Sequence, residues 1–468
     1  MRSLVLVCLA AALATPAHAD PEASWRAAAE TLRAGGVNAI SFRSLPDGVE
    51  RVAIGADKQH RLASVTKLFL AGAALTRLGG AHRFETEFFA TDVRGSTGAP
   101  SVGSLYVRGS GDPFLLVAEW DDIAARLPIG QLRGDIVIDD SYFADEPGIT
   151  YELVPNPYNA PSGAVSAEFN RIAVQVHERT ATAYAGTRLT PFTMFDIKPS
   201  NQRVINIQER LVGDRLKVQL RGPFNRRSYG VDFHIGHQHG AAAYYAGHLL
   251  ELSLAGLGRL YAAPPKIRRA PTPADAVSIF RFQAPRTLAE VLTALMRYSN
   301  NFIANQLFLA LGATELGAPA TAAKGRATIS QALSELGGLD EVKLVDGSGL
   351  DPGNRASARA ITRFLAAART KAPELVELLP ARGGGAARAK SGTFKDKNVR
   401  ALAGYLVDRC GVPYAAFAFL CDGRCSRATA RLYDTTLVRI AAESEPPSSL
   451  LCVGTSTSTR TDLPSEED

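Results

Sequence analysis

The chain has 468 residues, 46% of them hydrophobic, with 52 Lys and Arg against 46 Asp and Glu and a formal net charge of +6 at pH 7. That length holds two to three domains, and the apolar content is enough for a sizeable core. The basic excess is small and scattered, with no long basic run interleaved with aromatics, which argues against a nucleic-acid partner.

The chain opens with Met1-Arg2, the apolar run SLVLVCLAAALA and then TPAHA, which supplies a small-x-small site at Ala17-His18-Ala19. This pattern predicts a secretory signal peptide over residues 1–19, cut before Asp20. The mature chain is then exported, to the periplasm or elsewhere in the envelope or outside. No later apolar stretch reaches membrane length, so no transmembrane anchor is expected. Residues 24–34 read as helix. VNAISFRSL and RVAIGADK alternate about a Pro46-Asp47-Gly48 turn as a strand pair.

RLASVTKLFLAG, residues 61–72, opens a helix whose apolar positions Leu68, Ala71, Gly72, Leu75 and Leu78 recur at helical period, with Gly79-Gly80 as its stop. Ser64 and Lys67, three apart, share one face of its first turn. One Ser-x-x-Lys is expected by chance in roughly every chain of this length, so the pair alone decides nothing.

From 86 to 282 the texture changes to short β-like runs such as SLYVRGSG, GDIVIDDSYF and RLKVQLRG, separated by turns such as VPNPYNAPSG. This reads as one or two β-rich domains inserted into another fold. Helices are expected at 241–258, 286–297, 302–311, 320–337 and 356–369. VRALAGYLVD and VPYAAFAFL then read as two strands before a last helix, and 445–468 as a disordered tail. Residues 20–85 and 283–444 are expected to fold together as one discontinuous catalytic domain, an antiparallel sheet with helices.

Two more short motifs follow Ser64-x-x-Lys67. RYSNNFIANQ places Ser299-Asn300-Asn301 at a break between helices, and ARAKSGTF places Lys390-Ser391-Gly392-Thr393 at the opening of the strand that runs to ALAGYLVD. Ser64 needs a base, a proton relay and an oxyanion hole to act as a nucleophile. Lys67 can be the base if burial and the neighbouring Lys390 keep it neutral. Ser299 can pass a proton to a leaving amine, and the Asn301 amide can hold Lys67 and a substrate carbonyl. Lys390, Ser391 and Thr393 can face a terminal carboxylate, Gly392 lets a substrate backbone approach, and the N–H groups of Ser64 and Thr393 can form the oxyanion hole.

In this order on an exported chain, the three motifs resemble the signature of the penicillin-recognising serine enzymes. About 230 residues separate Lys67 from Ser299. With that insert, and with the segments VRGSGDPFL, PYNAPSGAVSAEFNRIAV, VDGSGLDPGNRAS and RALAGYLVD, the chain resembles the D-alanyl-D-alanine carboxypeptidase/endopeptidase family, the class C low-molecular-mass penicillin-binding proteins. The resemblance implies an α+β fold, a transpeptidase-like domain carrying β-rich insertions. It implies cleavage of D-Ala-D-Ala termini or D-amino-acid cross-links in peptidoglycan stem peptides through an acyl-enzyme, covalent inhibition by β-lactams, and no metal or cofactor. Other readings are a β-lactamase or esterase on the same machinery, or a non-catalytic cell-wall-binding module.

Other features point less far. His234, His237 and His239 could bind zinc if a turn gathered them, though surface histidines are common in such a segment. Without Cys8 of the signal peptide, four cysteines remain, which suits disulfides in an oxidising compartment. Cys410 and Cys421 stand at opposite ends of one strand, roughly 25 Å apart. The expected pairs are therefore Cys421–Cys425 and Cys410–Cys452. The chain also departs from its resembling family at Asp351-Pro352, where relatives carry an arginine, and at Phe394-Lys395. Both are expected at the mouth of the site, with Lys395 or Arg355 as replacements for the missing guanidinium.

Overall fold

The computed structural model describes residues 21–443 except 96–97, 147, 150–158, 178–179, 187, 190–193, 201–205, 224–228, 237–239, 262, 395–397 and 424. Its organising element is a six-stranded sheet in the order 381–382, 387–394, 399–407, 413–422, 39–44, 50–54. Every pairing in it is antiparallel. The strand Val399–Val407 is buried at every position. Apart from Arg400 it is apolar, as a strand can be where helices cover both faces of the sheet.

On one face lie the helices Pro21–Ala34 and Arg427–Glu443, whose Trp25, Leu32, Tyr433 and Leu437 pack with Phe42, Phe417 and Phe419 of the strands. Trp25 stacks on Phe42 at 5.7 Å between ring centroids. On the other face lie the helices Thr66–Leu78 and Ala358–Lys371, where Phe69 meets Phe364 at 4.7 Å. Residues 66–75 are all buried. A helix apolar on every side belongs inside a core, and this burial explains why Lys67 is enclosed. The early strand pair and the chain's last two strands therefore share one sheet.

The strands Glu85–Ala90 and Val277–Gln283 pair antiparallel at one edge of a five-stranded sheet. Between them a second hydrophobic cluster runs from Phe88 through Trp120, Ile138, Tyr245 and Leu249 to Phe282. A four-stranded and a three-stranded sheet lie in the same stretch of chain. The mixed helix and antiparallel-sheet architecture is the expected α+β class.

Three details bear on the sequence reading. The motif Lys390–Thr393 does not open the strand running to ALAGYLVD. It lies in the preceding strand, Ala387–Phe394, with Lys390 opposite Ala403 of Val399–Val407. The two are separate strands, paired antiparallel, and Asn398 just before the second has φ +49°, a conformation that Asn tolerates. Cys421 and Cys425 form the expected disulfide, whereas the Cys410–Cys452 pair involves a residue outside the described ones. His234 ends the strand Tyr229–His234, and His237 and His239 lie outside the described residues, as do the signal segment and the tail. Among the described residues no helix is long and apolar enough to cross a membrane.

Candidate active site

Ser64 occupies a single 3-10 turn, Ala63–Val65, that runs directly into the helix Thr66–Leu78. The turn leaves Ser64 half-buried while Lys67, one turn on, is fully enclosed at 0% exposure. Lys67 Nζ lies 3.1 Å from Ser64 Oγ, 2.7 Å from Asn301 Oδ1 and 2.6 Å from the Ser348 carbonyl oxygen. Burial, then the charge of Lys390, hold its pKa well below the ordinary lysine value, against a smaller opposing pull from Asp346.

These three contacts fix what the neutral amine can do. An uncharged lysine has two N–H donors and one lone pair. The Asn301 and Ser348 oxygens are carbonyls and can only accept. Ser64 Oγ alone can reverse its role and donate into the lone pair. A neutral Lys67 is thus aimed as a base at the Ser64 hydroxyl.

Asn301 begins the helix Asn301–Leu316, capped by Asn300, whose Oδ1 accepts from Ile303 N at 3.1 Å. Its amide orientation is set from behind: Asn301 Nδ2 donates to Asn159 Oδ1 at 2.7 Å, which turns Oδ1 toward Lys67. Ser299 ends the preceding helix in the left-handed conformation, φ +57°. Its hydroxyl makes no hydrogen bond among the described residues, so the expected relay from Lys67 through Ser299 is not closed by a hydrogen bond in this geometry.

The Ser348 carbonyl is held by a loop built on one buried carboxylate. Asp346 accepts from Gly349 N at 2.6 Å, Asp351 N at 3.0 Å, Asn354 Nδ2 at 3.0 Å and Ser348 Oγ at 3.1 Å. Ser348 N donates in turn to Asn305 Oδ1 at 3.0 Å. Asp351 is consumed in the same loop, its side chain accepting from Gly353 N at 2.7 Å. Arg355 lies on a short strand paired with Arg61, and Lys395 falls outside the described residues. Sequence reasoning singled out neither Asn159 nor Ser348 nor Asp346 for chemistry. The only signal was that PYNAPSG and VDGSGLDPGNR belong to the resembling segments.

The strand Ala387–Phe394 closes the other side. Lys390 is 3% exposed, and Nζ donates to the Ser391 carbonyl at 2.9 Å. Burial, then the nearby Arg382, lower its pKa to about 7. A Cβ on Gly392 would stand 2.5 Å from Leu62 O and 3.1 Å from Ser64 N, so the strand passes directly over the Ser64 turn. Ala389 N–H points outward, donating to Pro380 O at 3.0 Å. Backbone groups alternate in direction with period two, so the backbone groups of Ser391 and Thr393 face the same outer edge, which among the described residues carries no strand beyond Arg388. The N–H groups of Ser64 and Thr393 thus lie on either side of the Gly392 contact. Replacing Gly392 with alanine is expected to lower the second-order rate of acylation by benzylpenicillin at least tenfold, with some loss of melting temperature because the added Cβ presses on the Leu62 carbonyl; an unchanged rate would show that close approach is not required.

Ser64, Lys67, Asn301 and Lys390 are therefore one cluster, with Gly392 against it. Ser391 and Thr393 line the adjoining strand edge, and Ser299 stands at the helix break. The sequence profile of the D-Ala-D-Ala carboxypeptidase 3 (S13) family matches residues 27–444. The chain is 28% identical over 454 residues to the D-alanyl-D-alanine carboxypeptidase of Actinomadura sp. (strain R39), covering 87% of this chain and 81% of that protein. Among solved structures it resembles penicillin binding protein 4 (dacB) from Haemophilus influenzae, with a TM-score of 0.71 at 20% identity over 88% of this chain and 98% of that one. It also resembles the Bd0816 predatory endopeptidase from Bdellovibrio bacteriovorus, with a TM-score of 0.51 at 15% identity over 87% and 94%. The structural likenesses are likenesses of fold.

Proposed function

The chain belongs to the D-Ala-D-Ala carboxypeptidase 3 (S13) family, and from that premise we propose that Ser64 is the nucleophile with which it cleaves D-Ala-D-Ala termini or D-amino-acid cross-links of peptidoglycan stem peptides. It is a serine-type hydrolase that works through an acyl-enzyme and is inhibited covalently by β-lactams. The observation that carries the assignment to Ser64 is the fully buried Lys67 amine, whose only reversible hydrogen-bond partner among the described residues is the Ser64 hydroxyl.

In this reading Ser64 Oγ attacks the carbonyl of the penultimate D-Ala and its proton passes to Lys67 Nζ. The oxyanion takes the N–H groups of Ser64 and Thr393. Ser299 gives its own proton to the leaving amine and takes in its place the one held on Lys67, so the C–N bond breaks with Ser299 restored and Lys67 neutral again. Water then attacks the ester with Lys67 again as base, releasing the peptide and restoring Ser64. Asn301 holds both Lys67 and the substrate's peptide carbonyl, while Lys390, Ser391 and Thr393 meet the terminal carboxylate. A β-lactam forms the same ester, but its amine stays tethered after ring opening, so deacylation is slow. The work is done in the envelope, after export directed by residues 1–19.

Incubation with whole muropeptides, read by mass, tests this. Loss of one alanine from pentapeptide stems, or halving of cross-linked dimers, is the expected result. Intact muropeptides together with a penicilloyl adduct that turns over in seconds would make the chain a β-lactamase instead.

A further inference from the structure

Arg382 lies outside all three motifs, immediately before Gly383-Gly384-Gly385. These glycines take φ values of +56°, +66° and +101°, and a Cβ on Gly383 would stand 2.5 Å from Leu437 Cβ. Only glycine permits this turn against the last helix. It folds Ala381–Arg382 antiparallel onto Ala387–Arg388, at the point where strand pairing stops and the open edge of Ser391 and Thr393 begins.

From there the half-buried Arg382 side chain reaches along the strand, and Nη2 donates to Ser391 Oγ at 3.0 Å. Its Nε is buried with no hydrogen-bond partner, and neither Arg382 nor Lys390 forms an ion pair among the described residues. Two basic side chains are therefore gathered at one strand edge with no ion-paired carboxylate among the described residues. Such an arrangement is unfavourable on its own and is relieved by an anion. The guanidinium also sets the direction of the Ser391 hydroxyl. A hydroxyl that accepts from arginine keeps its own O–H free to donate elsewhere.

We propose that Arg382 is a positioning residue for the substrate's terminal carboxylate: it fixes Ser391 as a donor toward the open strand edge and, with Lys390, supplies the positive charge that the carboxylate meets there. The inference rests on the peptidase reading above. It makes discrimination for a free terminal carboxylate depend on a residue that no motif marks.

The test compares kcat/KM on one D-Ala-D-Ala donor peptide with a free C-terminus and on the same peptide as its C-terminal amide. The wild-type chain is expected to prefer the acid at least tenfold. In Arg382→Gln that acid-over-amide ratio is expected to fall at least tenfold, the change appearing mainly in KM, on the scale of one charge-assisted hydrogen bond. Arg382→Lys, which keeps the charge but loses the planar fork, should recover part of the ratio. An equal loss on both donors would make Arg382 merely structural and overturn the proposal, as would an unchanged ratio. A wild-type chain that cleaves neither donor is a distinct outcome: it would overturn the peptidase reading and this inference with it.

Discussion

Replacing Ser64 with alanine is expected to abolish both peptide cleavage and covalent labelling by a fluorescent penicillin, with the fold intact. No other hydroxyl lies within hydrogen-bond reach of Lys67 Nζ among the described residues, so no substitute nucleophile shares the base. The structural cost is small. Ser64 is half-buried, and its hydroxyl contributes one hydrogen bond, worth about 1 kcal/mol net. Loss of function should therefore appear without a comparable loss of stability, which circular dichroism and thermal melting would register. Wild-type labelling of the variant would remove Ser64 from the mechanism.

Lys67→Met is expected to reduce the rate of acylation by about 10²–10⁴-fold, the contribution of a positioned general base. Methionine keeps most of the stem and removes the amine. The pH profile separates a base from a spacer. Burial and the charge of Lys390 both disfavour the ammonium form, so the neutral fraction at a given pH exceeds that of an ordinary lysine. The active form is the deprotonated one, so wild-type acylation should rise with pH until the amine has lost its proton, and this rise should be absent in Lys67→Met. Lys67→Arg should be at least as impaired, because a guanidinium stays protonated at any working pH. A variant that kept the wild-type pH profile at a lower rate would show that another group supplies the base.

Much of the site was legible because its polar groups come in short clusters whose geometry is local. Ser64 and Lys67 lie one helical turn apart, Ser299 and Asn301 straddle one helix break, and Lys390 to Thr393 follow one strand. Spacing along such elements fixes which side chains can meet. What could not be read acts across long stretches of chain. Ser348 contributes a backbone carbonyl, which any residue carries, and only the loop tied to Asp346 aims it at Lys67. Asn159 acts on Asn301 from 142 residues away. Arg382 meets Ser391 only because three glycines turn the chain back on itself. The fold divides the same way. Most helices and the two long apolar strands showed in their sequence pattern, whereas the short helix Val117–Arg126 lay hidden among β-like runs, and the pairing of Lys390–Thr393 with the following strand is a contact that spacing does not reveal.

Peptide mapping of the benzylpenicillin-treated protein tests the central claim most directly. After proteolysis and mass analysis, the penicilloyl group should sit on the peptide containing Ser64, at one adduct per chain, and denaturation before treatment should prevent it. An adduct on any other serine, or a folded protein that takes up none, would contradict the account.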